Sequence, residues 1–160
     1  MSDKIKVGGI FQRQKLCMIQ VIGIDNSPGA AAQVFKIFSN NGMSLEFISQ
    51  SETTEGWGTI TLCTSAKHCP VMDKVEVEVR SFIKPKVIKR NPSVEMITLY
   101  GPHFAERHSI AQTICSALGE GGINIVGIST SVNSITCVIS TQDSYKALQV
   151  IQQTFEFPEY

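Results

Sequence analysis

The pattern of apolar and polar residues occurs twice along the chain. The segment MIQVIG at 18–23 recurs 78 residues later as MITLYG at 96–101. In each copy the next apolar residues follow the i, i+3, i+4, i+7 spacing of an amphipathic helix. These residues are Ala31, Val34, Phe35 and Phe38 in the first copy and Ala111, Ile114, Cys115 and Leu118 in the second. The pattern therefore predicts two copies of one structural unit.

Each copy is predicted to run strand, helix, strand, strand, helix. In the first copy the strands are expected at about 15–24, 43–51 and 57–64, and the helices at about 29–41 and 68–81. The second helix competes with a strand because Val75, Val77 and Val79 alternate, but the matching residues of the second copy have helical spacing. A fourth strand is expected around 83–89, and Pro92 is expected to mark the join between the units.

The second copy leaves no sequence for a fourth strand after its last helix, which is expected to end near Phe157. Residues 5–11 precede the first copy and have a strand-like pattern, so we expect them to complete the second sheet. The first domain then spans 14–91 and is inserted in the second, which spans 92–158 plus the N-terminal strand 5–11. The predicted fold class is α+β, with two ferredoxin-like βαββαβ units, each with two helices on one face of an antiparallel sheet.

Composition and charge narrow the functions open to such units. Of the 160 residues, 42% are hydrophobic and 18% are charged, which is typical of globular domains and excludes a disordered chain. The formal net charge is zero, so no basic surplus indicates a nucleic-acid partner. No apolar run approaches the roughly 18 residues that a membrane span needs. Four of the five cysteines lie in apolar segments, which predicts buried, reduced thiols and a cytoplasmic location.

Two motifs resemble the ACT domains of aspartokinase. They are DNSPGAA at 25–31 followed by ISQ at 48–50, and GGINIVGISTS at 121–131. No kinase domain is recognised in the chain, so the resemblance is to the short regulatory (β) subunit. It implies a homodimer that binds threonine or lysine and acts allosterically on an aspartokinase catalytic subunit, with no catalytic activity or cofactor of its own. The alternative is a free-standing ACT-domain amino-acid sensor that regulates another enzyme or transcription.

The loop between the first strand and the first helix is the candidate ligand site. It consists of Asp25, Asn26, Ser27, Pro28, Gly29 and Ala30. The N–H groups of a helix N-terminus attract the carboxylate of an amino acid, and Asp25 offers oxygens to the ammonium group. Gly29 would let the ligand approach the backbone closely. The competing interpretation is a plain turn in which Asn26 or Ser27 caps the helix.

Three further residues are expected to contact the ligand. Gln50 ends the second strand, where its amide group can bind a hydroxyl or an amine, although a solvated strand end explains it equally well. The resemblance implies that Asn124 contributes its side chain and Ile125 its backbone, because the ligand sites of the family lie where two units meet.

The second loop, Gly101–Ile110, is expected to be degenerate or to serve a chain contact. It has His108 and Ser109 at the positions of Pro and Gly in the first loop, and this departure from the family leaves the ligand's identity open. A small metal-dependent enzyme that uses His103, Glu106 and His108 is the least supported alternative. The two histidines are five residues apart, so they would not share one face of a helix.

Overall fold

The computed structural model of the protein describes residues 4–102, 104–106 and 108–159. The chain divides into two compact units. The inserted unit is Lys15–Ser93, and the outer unit combines Met1–Gln14 with Val94–Tyr160. The predicted insertion of one βαββαβ unit within the other is therefore confirmed.

Eight strands and four helices follow one another along the described residues. The strands are β1 Ile5–Lys6, β2 Gly9–Asp25, β3 Leu45–Glu52, β4 Trp57–Ser65, β5 Val87–Tyr100, β6 Ile125–Thr130, β7 Ser134–Ser140 and β8 Phe155–Glu156. The helices are α1 Ala30–Asn40, α2 Cys69–Phe82, α3 Ile110–Glu120 and α4 Ser144–Thr154. Short 3-10 turns lie at Ala66–His68, Phe104–Glu106 and Thr141–Asp143. The strands β2 and β5 each contribute residues to both units because the unit boundaries fall inside them.

In the inserted unit, β4 pairs antiparallel with both β2 and β3, and the strand order is β3-β4-β2-β5. Alternate residues of β2 and β4 form the strand side of the core, where α1 and α2 cover them. The main members of this core are Cys17, Ile19, Val21, Ile60, Leu62, Val34, Phe38, Met72, Val75 and Val79. The helix over residues 69–82 is confirmed, because only a 3.6-residue period brings Met72, Val75 and Val79 together.

In the outer unit, β7 pairs antiparallel with β5 and β6, and the strand order is β6-β7-β5-β2. The predicted strand 5–11 is divided in the structure: β1 pairs in parallel with β8 in a separate two-stranded sheet, in register Ile5 to Phe155, and the larger sheet is joined by β2, which begins at Gly9. The helices α3 and α4 contribute Ile114, Leu118, Ala147 and Ile151 to the core, which also contains Ile97 and Leu99 of β5. Both α1 and α3 are followed by a glycine with positive φ, Gly42 at 70° and Gly122 at 71°, which is the usual residue in this position.

Three local predictions are wrong. Residues 83–86 form a turn rather than the start of a strand. The join predicted at Pro92 lies one residue further on, between Ser93 and Val94, and it falls within β5. The helix α4 ends at Thr154, and Phe155 begins β8, where it is buried. Cys115 is exposed on α3, although its apolar surroundings predicted burial.

Among the described residues, no helix is both long enough and apolar enough to cross a membrane.

Candidate functional site

The candidate loop connects β2 to α1 and has an unusual start to its helix. Residues 25–29 are exposed, and Gly29 is the N-cap residue with φ 89° and ψ −6°. No side chain caps the helix, so the interpretation in which Asn26 or Ser27 caps it is wrong. The Ala30 N–H donates to the Ser27 carbonyl at 3.1 Å, and the Gln33 N–H donates to the Gly29 carbonyl at 3.2 Å. Helix geometry leaves the N–H groups of residues 31 and 32 without an intrahelical acceptor.

Glycine is required at position 29 for a conformational reason. A φ of 89° is left-handed, and side chains with a Cβ avoid this region. An ideal Cβ built on Gly29 meets no atom within 4 Å, so the space in front of the helix N-terminus is open. The matching residue of the outer unit, Ser109, has φ −97° and is right-handed. The two loops therefore differ in backbone conformation as well as in sequence.

Strand register brings Gln50 and Glu52 to the helix-covered face of the inserted sheet. Gln50 lies opposite Ile60, whose side chain is buried in the core under the helices. Glu52 lies opposite Gly58, which is two residues before Ile60 and therefore on the same face. The Asn26 Oδ1 atom is 3.5 Å from the position that a Gly58 Cβ would occupy. Asn26, Gln50 and Glu52 thus border Gly58 on the face that carries α1.

Asp25 projects from the other face of the sheet. It lies opposite Trp57, which is three residues before Ile60 on β4 and therefore faces away from the helices. The Lys86 Nζ atom lies over the Trp57 ring, 3.9 Å from its centroid. Gly23, in a β-bulge with φ 74°, makes room for the Lys86 side chain, because a Cβ there would be 2.7 Å from its carbons. Asp25 and Gln50, which the sequence analysis grouped, therefore extend in opposite directions.

The remaining predicted contacts belong to the outer unit. Asn124 is exposed and follows the turn at Gly121 and Gly122. Ile125 is the first residue of β6 and lies opposite Ile139. In their own unit, these two residues therefore lie at the start of an edge strand.

Side chains of the second loop pack against its backbone and line a small cavity. A Cβ on the buried Gly101 would be 2.6 Å from the Phe104 ring. Phe104 and His108 line a cavity of about 200 Å³ together with Ser131, Ser134 and the buried Ile135. His103 lies outside the described residues. Within residues 4–102, 104–106 and 108–159, no cluster of three His, Cys, Asp or Glu side chains could hold a metal ion.

Burial shifts the pKa values of three cysteine thiols. Burial raises the pKa of Cys63 and that of Cys137 to about 12, and it raises the pKa of Cys17 to about 11. These thiols remain protonated at neutral pH and serve as apolar core residues.

The loop itself offers N–H donors, amide groups and carboxylates, which suit reversible binding of a zwitterion.

Sequence reasoning missed three residues around the loop. Glu52 carries no motif signal, but its position two residues after Gln50 on a strand would have placed it on the same face. Gly58 and Lys86 could not be found from the sequence, because their roles depend on pairing between strands and on the bulge at Gly23.

Comparison with known proteins matches both repeats to one family. ACT-domain models match residues 18–82 and residues 97–155. The aspartokinase of Mycolicibacterium smegmatis is 26% identical over 157 residues, which cover 97% of this chain and 37% of that protein. The aspartokinase of Saccharomyces cerevisiae is 32% identical over 127 residues, which cover 78% of this chain and 23% of that protein. The chain thus spans well under half the length of these curated relatives.

A solved structure shows the same fold over almost the whole chain. The ligand-free regulatory subunit of aspartate kinase from Thermus thermophilus matches with a TM-score of 0.83 and 23% identity. The match covers 94% of this chain and 99% of that one. Two matched ACT domains, the inserted βαββαβ topology and this structural likeness lead to one assignment: the chain belongs to the ACT-domain family and resembles the regulatory region of aspartokinase.

Proposed function

We propose that this protein is an amino-acid-binding regulatory protein of the aspartokinase type, which senses threonine or lysine and acts allosterically on a partner kinase subunit. One observation carries the proposal: α1 begins at a left-handed glycine, without a side-chain cap, beside three polar side chains on one sheet face. A free amino acid carries a carboxylate and an ammonium group, and this loop has partners for both.

Each group of the ligand has a partner of matching chemistry. The carboxylate binds the free N–H groups in the first turn of α1, where the helix dipole also favours a negative charge. The ammonium group binds the Asn26 amide oxygen, with Asp25 as an additional negative charge at the loop. Gln50 binds a side-chain hydroxyl or amine, and Glu52 favours an amine. Asn124 and Ile125 are further proposed contacts, and they rest on the family resemblance alone.

Regulation of a partner follows from differential binding. An amino acid that binds one arrangement of the protein more tightly shifts the population toward it, and typical coupling energies of about 1–3 kcal/mol change a partner's activity roughly 5- to 150-fold. The Thermus relative is itself a regulatory subunit of aspartate kinase, which supports a kinase as the regulated partner. A cytoplasmic location belongs to the same proposal and is supported by three buried free thiols.

Homodimerisation is a second part of the proposal. The strands β3 and β6 each lie at a sheet edge, and they carry Ile48 and Ile128, which are 46% and 42% exposed. Apolar edge strands favour pairing with another chain. Light scattering should give twice the 17.5 kDa chain mass, and a monomer both with and without amino acid would contradict this part.

The test of the main proposal is calorimetry of the full chain against each of the twenty amino acids. Saturable binding of threonine or lysine, abolished by disrupting the loop, is the expected result. Absence of binding for all twenty would refute the proposal. A ligand that binds while a co-purified aspartokinase subunit is unaffected would favour the sensor of another enzyme or of transcription.

A further inference from the structure

Two cysteines lie at the end of the β2–β4 pairing that is opposite to the candidate loop. Cys17 lies near the start of Lys15–Ser93, on the helix-covered face of β2, and is fully buried. Cys69 is the first residue of α2, is half-buried and packs against the core cluster that contains Cys17. The nearby Cys69 thiol adds to the effect of burial in raising the pKa of Cys17.

Topology explains why these residues meet. Cys17 pairs with Thr64 near the end of β4, and the chain then turns through Ala66–His68 onto the helix face. This turn leads into α2, whose first residue, Cys69, packs against the core cluster that contains Cys17. Cys63 is also close along the chain, but it lies opposite Met18 and therefore on the other face of the sheet from Cys17.

Arg90 holds this arrangement in place. Its Nη2 atom donates to the Cys69 carbonyl at 3.3 Å, and its Nη1 atom contacts the Asp73 carboxylate at 2.8 Å. The positive charge of Arg90 also opposes the effect of burial by lowering the pKa of the Cys17 thiol. The same cation thus binds the backbone of Cys69 and acts electrostatically on Cys17.

We propose that Cys17 and Cys69 are an oxidation site at which a peroxide closes an intramolecular disulfide. The sulfur of the half-buried Cys69 attacks one peroxide oxygen, an S–O bond forms, the O–O bond breaks and one water leaves. The Cys17 sulfur then attacks the Cys69 sulfur, an S–S bond forms, the S–O bond breaks and a second water leaves. The two thiols are oxidised, hydrogen peroxide is reduced, and both thiol protons end in water.

The order of the two steps follows from the different burial of Cys17 and Cys69. Cys17 is inaccessible to solvent, and burial raises its pKa to about 11, so it is a poor first target for a peroxide. Cys69 is accessible and reacts first, and Cys17 resolves the oxidised sulfur. The site is independent of the proposed amino-acid function and does not require a ligand.

Peptide mapping of the oxidised full chain tests the proposal. Trypsin cleaves after Lys15, Lys36, Lys67 and Lys74, which separates Cys17, Cys63 and Cys69 into the peptides 16–36, 37–67 and 68–74. After hydrogen peroxide and blocking of remaining thiols, we expect the peptides 16–36 and 68–74 to be linked, and two of the five thiols to be lost. Dithiothreitol should restore all five.

Two variants provide the controls. Cys115→Ser removes an exposed thiol of the outer unit and should leave the linked peptide unchanged. Cys69→Ser changes a half-buried helix end, should preserve the fold by circular dichroism and should abolish the link. A link from peptide 37–67 to either partner, or irreversible oxidation of Cys69 with Cys17 still a free thiol, would overturn the proposal.

Discussion

Replacing Gly29 with alanine tests the feature on which the candidate site depends. No atom lies within 4 Å of the added Cβ, so the change introduces no clash and its cost comes from the backbone alone. Holding a residue with a Cβ at φ 89° costs about 1–2 kcal/mol, and the lower entropy of unfolded alanine offsets about 0.4–1 kcal/mol of that. We therefore expect Gly29→Ala to lower the free energy of unfolding by about 1 kcal/mol.

Gly119 provides a matched control, for which we expect the opposite change in the free energy of unfolding. Gly119 lies within α3, has an ordinary helical φ, and an ideal Cβ there also meets no atom within 4 Å. Gly119→Ala should raise the free energy of unfolding by up to about 1 kcal/mol through helix propensity. Urea unfolding followed by circular dichroism measures both, and the single tryptophan, Trp57, reports the inserted unit separately. A Gly29→Ala protein as stable as the wild type would refute the left-handed assignment and weaken the case for this loop.

Three further predictions follow from side chains near the loop and in the cores. Glu52→Gln should weaken lysine binding at least about tenfold, since a charge-assisted hydrogen bond contributes about 1.5–3 kcal/mol, and it should leave threonine binding within about twofold. Calorimetry measures the binding of both ligands, and equal losses of affinity would contradict the assigned role of Glu52. Lys86→Met should change the emission of Trp57 by removing the cation over its ring, and an unchanged spectrum would argue against the contact in solution. Burial raises the pKa of Cys63 and of Cys137 from 9.0 to about 12, so above pH 9 the unfolded thiols lose protons that the folded thiols keep. Unfolding free energy should therefore fall between pH 9 and about 12, by about 1.4 kcal/mol per pH unit for each thiol, and replacing both cysteines by alanine should reduce that slope in urea titrations.

Periodicity was enough to predict the repeats and most helices, because these depend on which residues are buried. At α2 the alternating valines competed with the helical spacing of Met72, Val75 and Val79, and the matching segment of the second copy decided for the helix. The insertion was inferred from the lack of sequence for a fourth strand in the second copy. Phe155 shows the limit of the method: it fits the helical spacing of α4, but the chain leaves the helix at that residue and pairs with Ile5. A pairing between residues at opposite ends of a sequence has no local signal.

The candidate site was predicted only in part for a similar reason. The loop could be located from Pro28 and Gly29, and its role in starting α1 is a local property. The sequence could not predict that Asp25 and Gln50 lie on opposite faces of the sheet. The face on which Asp25 lies depends on the bulge at Gly23 and on the register with β4. Register is a non-local property, so the residues that border Gly58 became evident only in the folded unit.

The two repeats reach the same topology with different helix starts, and this difference bears on which loop binds a ligand. Neither α1 nor α3 has a side-chain cap. In the inserted unit, α1 begins at the left-handed Gly29, and no atom lies within 4 Å of the position of a Cβ there. In the outer unit, Ser109 is right-handed, and the Phe104 ring packs directly against Gly101. An unfilled helix N-terminus keeps N–H donors available to a carboxylate, whereas an aromatic ring beside the equivalent loop occupies space that a ligand would need. Duplication of a binding unit therefore allows one copy to retain an open loop while an aromatic side chain packs against the loop backbone of the other.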